Sequence, residues 1–227
     1  MLVSIIIPTF NEEPTIRSLI DQLRATMRLS HFRHEIIVVD DCSADKSVEI
    51  SQSRGVKVYS LKNHMGKGYA LRAGFAKAKG DIIATIDSDG SHCPEELPLL
   101  LMPILNNQAD LVIGSRFSTK NPGSGKIFNV AGVRIFNFLI KMFTGTSVSD
   151  SQSGYRVMKS AVLQDLRLKS AEYEIESEIL VKIARKRFRV KEVPISFEQR
   201  TYGVSRLDPI VDGLKILLSI FASFLRG

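Results

Sequence analysis

Short β-branched runs alternate with segments of helical periodicity through the first half of the chain, and no other feature narrows the possible folds as much. Leu2 to Ile7 reads as a strand. Ile16, Leu19, Ile20, Leu23 and Met27 then recur at helical spacing, and Glu35 to Val39 reads as a second strand. The strand Val56 to Ser60, a helix from about Lys67 to Lys79, the strand Asp81 to Ile86, a helix near Glu95 to Asn106 and the strand Leu111 to Ile113 continue the series. Strands this apolar are buried on both faces. The expected fold class is therefore α/β, a Rossmann-like, mostly parallel sheet flanked by helices, with ligands beyond the carboxyl ends of the strands.

The chain has 227 residues, 44% hydrophobic and 24% charged, which excludes disorder as its main state and suits one large domain. Cys42 and Cys93 are too few for a disulfide framework. With His31, His34, His64 and His92 they make no zinc-type spacing, so a reducing compartment is expected. The start, MLVSIIIPTF, has no Lys or Arg before its apolar run, and Pro8 ends that run, so a strand is expected there rather than a leader. No stretch offers about eighteen uninterrupted apolar residues, so no spanning helix is expected. The net charge is +7, and Lys182, Arg185, Lys186, Arg187, Arg189 and Lys191 lie close together. On charge alone, nucleic acid, anionic lipid and phosphorylated substrates all remain open as partners.

Three polar clusters fall at strand ends: Thr9-Phe10-Asn11-Glu12, Asp40-Asp41 and Asp87-Ser88-Asp89-Gly90. They converge on one acidic crevice. In isolation D-x-D is as readily a β-turn as a site. Carboxylates at i and i+2 of a strand point to opposite faces, so Asp87 and Asp89 either meet at a metal after a bend or divide their tasks between a hydroxyl and the metal. Oxygen ligands without His or Cys favour Mg²⁺ or Mn²⁺. An anionic diphosphate needs such a cation here, because like charges at about 4 Å repel by roughly 4 kcal/mol at an effective dielectric of 20. Gly66-Lys67-Gly68 and Gly123-Ser124-Gly125-Lys126 fail the spacing of a P-loop and of a dinucleotide fingerprint, and no G-x-S-x-G elbow is present.

The second half is less regular. Ile127 to Phe143 is an amphipathic stripe that suits either core or membrane contact, and Tyr173 to Arg187 is a basic helix. Lys182 to Lys191 reads as a solvated face or as a dock for anionic lipid. Residues 209–227 form a C-terminal amphipathic helix, with Ile210, Val211, Leu214, Leu217, Leu218, Phe221, Phe224 and Leu225 at helical spacing. It suits packing on the domain, a lipid interface or a partner membrane subunit.

The string Pro8-Thr-Phe-Asn-Glu12, Val38-Val-Asp-Asp41 with Ser43 and Asp45, Gly66-Lys-Gly68, Gly80-Asp81 and Asp87-Ser-Asp89 resembles family 2 glycosyltransferases of the GT-A fold. Ser91 to Glu95, Gly114 to Phe117, Ser153 to Arg156, Glu192 to Phe197 and Arg200 to Arg206 narrow the likeness. They are similar to the dolichyl-phosphate (polyprenyl-phosphate) mannosyltransferases, from residue 3 to about residue 208. The first motifs are widely shared, the E-V-P-I-x-F block with R-x-x-G-x-S far less so.

The resemblance implies a GT-A domain over residues 1–208 that transfers a hexose, mannose from GDP-mannose, to dolichyl or polyprenyl phosphate with inversion. Mg²⁺ or Mn²⁺ is the implied cofactor. The enzyme would be peripheral on the cytoplasmic face of a membrane, with no nucleic acid partner. Pro8, Phe10, Glu12, Val39 and Asp41 match nucleotide-holding positions. Asp87, Ser88 and Asp89 match the diphosphate, sugar and metal positions, with Asp87 and Asp89 as the metal pair. Arg116, Arg200 and Arg206 match cations around the phosphates, and Asp89, Arg116 and Arg200 are the catalytic set. Phe10 stands where the family usually has Tyr, Ser88 where Ala is common and Arg206 where Lys is common. Rival readings are another donor such as UDP-glucose, a saccharide hydroxyl acceptor with Asp150 as base, and a non-catalytic lipid- or nucleic-acid-binding module.

Overall fold

In the computed structural model, residues 1–117, 130–198, 202 and 208–226 are described. The first half runs β1 (Leu2–Thr9), α1 (Glu13–Leu29), β2 (Arg33–Asp40), α2 (Ser47–Ser53), β3 (Lys57–Ser60), α3 (Lys67–Lys77), β4 (Ile82–Thr85), a 3-10 turn (Pro94–Glu96), α4 (Leu97–Leu105) and β5 (Leu111–Ser115). Then come α5 (Val130–Thr144), β6 (Arg156–Lys159), α6 (Ser160–Gln164), α7 (Ile175–Arg185), β7 (Val190–Pro194) and α8 (Val211–Arg226). The seven strands form one sheet in the order β3-β2-β1-β4-β6-β5-β7. All neighbouring pairs are parallel except β4 with β6 and β5 with β6, which are antiparallel.

Period-2 alternation sorts the strand residues into two cores. Val3, Ile5 and Ile7 pack with Ile16, Leu19, Ile20, Leu23 and Met27 of α1 and with Leu97, Leu100 and Leu101 of α4. Ile6, Ile37 and Val39 face the other way, toward Ala70 and Leu71 of α3, Phe136 and Ile140 of α5, the buried face of α7, and Ile216 and Ile220 of α8. Each fully buried aliphatic side chain contributes about 1.5–3 kcal/mol, which is why the apolar strands sit at the centre. The C-terminal amphipathic helix thus packs on α5 and α7, with Phe143 stacked on Phe224 at 4.7 Å and edge-on to Phe221 at 5.1 Å.

The basic run is also absorbed by the fold. Lys182 pairs with Glu178 at 2.6 Å, Lys186 with Asp165 at 3.7 Å and Arg189 with Asp110 at 3.0 Å. Lys191 reaches Gln108, and Arg185 donates to the Ser223 carbonyl while lying over the Phe224 ring. These contacts fix the run as a tie between α7, β7 and their neighbours. Arg185, Lys186, Arg187, Arg189 and Lys191 nonetheless remain exposed.

Candidate active site

The ends of β1, β2 and β4 open into a cleft of about 760 Å³. Pro8, Phe10, Glu12, Asp41, Asp87, Ser88, Asp89 and Arg116 all line it, so the fold gathers most of the residues picked from sequence. Val39 does not line it. Its side chain is fully buried one position below the end of β2 and faces Gly74 of α3. Arg200 and Arg206 lie outside the described residues.

The turn after β1 is held by its neighbours. Asn11 adopts a left-handed φ of 55°, tolerable for Asn, and its backbone N–H donates to Ser43 Oγ at 2.8 Å. Glu12 N–H donates to Ser47 Oγ at 2.8 Å and Glu13 N–H to Asp45 Oδ2 at 3.0 Å. Ser43 and Asp45 are therefore brackets for the first turn of α1. Asp41 plays a similar part across the cleft, accepting from the backbone N–H groups of Met65 at 2.7 Å and Gly66 at 2.8 Å. His64 Nδ1 lies 2.7 Å from Asp41 Oδ2, and the His64 ring stacks on Phe10 at 4.0 Å.

Gly66 and Gly68 serve this packing and not a phosphate loop. Gly66 has φ 93°, and a Cβ there would meet the Glu172 carboxyl at 2.4 Å; a Cβ on Gly68 would lie 2.8 Å from the 170–172 backbone. That close approach delivers Lys67, between them, to the cleft floor. Its ammonium sits 2.7 Å from Asp87 Oδ1 and 2.8 Å from Glu176 Oε1. Burial alone would push the Asp87 carboxyl up, but Lys67 and the nearby His92 hold it well below the usual carboxylate range. Burial would likewise lower Lys67, yet Asp87 and Glu176 hold it well above the usual lysine range. Both groups stay charged through neutral pH.

Ser88 is buried, and its hydroxyl donates to the Pro8 carbonyl at 2.8 Å, while Thr15 Oγ1 donates to the Ser88 carbonyl at 2.6 Å. The serine found where Ala is common thus links the ends of β1 and β4. Asp89 Oδ1 accepts from Ser91 N–H at 3.0 Å and Ser91 Oγ at 2.6 Å. Arg116 is gripped by Asp150, whose oxygens take Nε and Nη2, each at 2.7 Å, and the Arg116 backbone N–H at 3.0 Å. With Asp150 fully buried and its carboxylate occupied in this way, it is ill placed for the base role that a hydroxyl acceptor would require.

Sequence reasoning passed over Lys67, Glu176 and His64. Gly66-Lys67-Gly68 fails the phosphate-loop spacing and belongs to the family resemblance, but neither reading gives Lys67 its carboxylate partners. Glu176 carried a signal too, a carboxylate on the apolar stripe of a helix between the buried Ile175 and Ile179. Another wall of the cleft is helical, with Val133 and Phe136 from α5 and Val211, Asp212, Lys215 and Ile216 from α8.

Among the described residues no group of three or more His, Cys, Asp or Glu forms a cage for a metal. Lys67 engages Asp87 Oδ1, so an ion shared by Asp87 and Asp89 would use Asp87 Oδ2; such oxygen donors suit Mg²⁺ or Mn²⁺ in the open manner of ions that share one or two carboxylates with substrate phosphates.

A sheet of this topology, with a D-x-D turn at a strand end above a large cleft, is the GT-A fold. The chain belongs to glycosyl transferase family 2, whose family model matches residues 4–167. It is 30% identical to a UDP-N-acetylglucosamine–dolichyl-phosphate N-acetylglucosaminyltransferase of Methanococcus voltae, over 95% of this chain and 93% of that protein. It is 32% identical to a dolichol-phosphate mannosyltransferase of Pyrococcus furiosus, covering 91% of this chain but 59% of that one. Glucosyl-3-phosphoglycerate synthase from Mycobacterium tuberculosis, crystallised with Mn²⁺, UDP and phosphoglyceric acid, shares the fold with a TM-score of 0.78. That match has 21% identity and covers 98% of this chain and 78% of the synthase.

Proposed function

We propose that this glycosyltransferase moves a hexose from a sugar nucleotide to dolichyl or another polyprenyl phosphate at a membrane surface. The observation that carries the reading is the two-natured cleft: a charged floor at the strand ends continues into a wall from α5 and α8 where apolar Val133, Phe136, Val211 and Ile216 stand beside the charged pair Asp212 and Lys215. The outer faces of those two helices expose Ile135, Phe138 and Met142, and Leu214, Leu218, Phe221 and Leu225. Such a ridge suits lipid. No helix among the described residues is long and apolar enough to cross a membrane; in the proposed reading the exposed ridge itself meets the interface, on the cytoplasmic face.

A phosphate acceptor is already anionic near neutral pH, so its attack on the anomeric carbon needs no base, and the occupied Asp150 is consistent with that. Arg116, fixed by Asp150, presents a held cation at the cleft wall to orient a phosphate. Asp89, with Asp87, would hold a divalent ion, which when bound neutralises the departing diphosphate. Lys67, Asp87, Gln152 and Glu176 form a polar floor suited to hexose hydroxyls. GDP-mannose stands beside UDP-N-acetylglucosamine as donor, because relatives of near-equal identity are named for mannose and for N-acetylglucosamine transfer.

The test is transfer from radiolabelled GDP-mannose, UDP-N-acetylglucosamine and UDP-glucose to a short polyprenyl phosphate, with Mn²⁺, Mg²⁺ or chelator. Product with one donor, lost on chelation, is the expected result. Transfer to a sugar hydroxyl and not to the phosphate sinks the reading. Co-sedimentation with anionic vesicles tests the ridge, and sedimentation only with a membrane protein would point to a partner subunit instead.

A further inference from the structure

We propose that His64 is an internal occupant of the nucleobase platform, which a donor nucleotide must displace. The inference rests on the reading of Phe10 and Asp41 as donor-site residues. The imidazole lies on the Phe10 ring with centroids 4.0 Å apart and planes 19° from parallel. Stacked carbon planes rest about 3.5–4 Å apart, so no base enters between two rings already in contact. The same imidazole takes the polar contact beside that platform, with Nδ1 2.7 Å from Asp41 Oδ2. Ring and carboxylate are what a purine or pyrimidine with a ring N–H would use for stacking and hydrogen bonding.

His64 is placed to leave. Its side chain is 52% exposed, and the loop is pinned just after it, by Met65 and Gly66 donating to Asp41. The ring can therefore swing out while the backbone that sets Lys67 stays anchored. A site whose competent form is only a fraction of the population binds its ligand more weakly by that fraction. Removing the occupant removes the penalty, so loss of this side chain strengthens binding, the reverse of what loss of a base-contacting residue does.

Calorimetric titration of the full chain with UDP and with GDP, in Mn²⁺, tests this on wild type, His64→Ala and Phe10→Ala. A stacked contact plus a half-exposed polar contact predicts about fivefold tighter binding in His64→Ala, and weaker binding in Phe10→Ala. His64→Ala that binds equally or less tightly overturns the proposal, and weaker binding in both variants makes His64 a second wall of the base slot. If Phe10→Ala binds as wild type does, the donor-site reading of Phe10 fails and the proposal with it. In the unaltered protein, the His64 ring protons, shielded by Phe10, should move downfield when nucleotide binds. No movement at saturation also overturns the displacement.

Discussion

On the strand-end wall of the cleft, Asp41, Lys67, Asp87 and Arg116 are each held by two or more polar contacts before any ligand arrives. The helical wall differs. There, Val133, Phe136 and Ile216 meet the cleft with apolar surface beside the Asp212–Lys215 pair, and the same two helices turn Phe138, Met142, Leu214 and Leu218 to the outside. The first wall is preorganised by charge, so a lost partner leaves a desolvated ion behind; the second is organised by burial, so the cost of a change depends on which side of the helix it falls.

The largest effect is expected at Asp89. Asp89→Asn should cut transfer by about a hundredfold or more, since stabilising the leaving diphosphate is worth several kcal/mol, while leaving the thermal midpoint within a degree or two of wild type. Near-normal turnover at saturating Mn²⁺ would break the assignment of this wall to the diphosphate.

Lys67→Met comes next, removing the cation between Asp87 and Glu176 at a cost of about 3 kcal/mol or more. Its pH dependence is the sharper signature. In the wild type the lowered Asp87 contributes stability that is full above the ordinary carboxylate range and is lost as pH falls through its folded value. The raised Lys67 contributes stability that is full below the ordinary lysine range and is lost as pH rises through its folded value. In the variant the two carboxylates keep their burial without the lysine, so acidification from pH 7 to 5 should stabilise it. Urea midpoints at the two pH values, with the variant following the wild-type slope, would show that Lys67 does not hold the wall.

The helical wall should split in two. Ile220→Ala, on the buried face of α8, should cost about 2–4 kcal/mol, whereas Leu218→Ala, on the exposed face, should change stability by no more than about 0.5 kcal/mol and weaken vesicle binding. Equal losses at both positions would mean that the outer face is covered. Deleting residues 208–227 cannot make this distinction, because Ile216 and Ile220 belong to the core and Asp212 and Lys215 line the cleft. The smallest effect is at Ser88. Ser88→Ala should cost about 1 kcal/mol through the lost bond to the Pro8 carbonyl, read as a small drop in thermal midpoint with donor binding unchanged.

The strand-end wall was the more legible of the two from sequence, for a physical reason. Each of its acidic clusters follows an uninterrupted apolar run, so the run announces the strand and the break announces the rim. β6 gave no such sign. It is four residues long and begins with Arg156, a guanidinium buried only because the carbonyls of Ser151, Ser153 and Glu176 accept from it. Periodicity cannot foresee a cation satisfied by backbone carbonyls of the preceding turn and of α7. The grip of Asp150 on Arg116 spans 34 positions and has no local pattern, so a buried brace looked like an available base.

The antiparallel β6 sits between β4 and β5, pairing Thr85 with Arg156 and Ile113 with the same residue. During synthesis β4 therefore emerges with one flank unpaired and stays so until residues 156–159 have left the ribosome. For that interval the nascent chain carries an open, apolar sheet edge, Ile82 to Thr85, which can be extended by any stray strand. Sheet closure by such long-range pairing is slow, so the yield of folded enzyme should depend on translation speed and holdase chaperones more than the finished molecule's tight core would suggest.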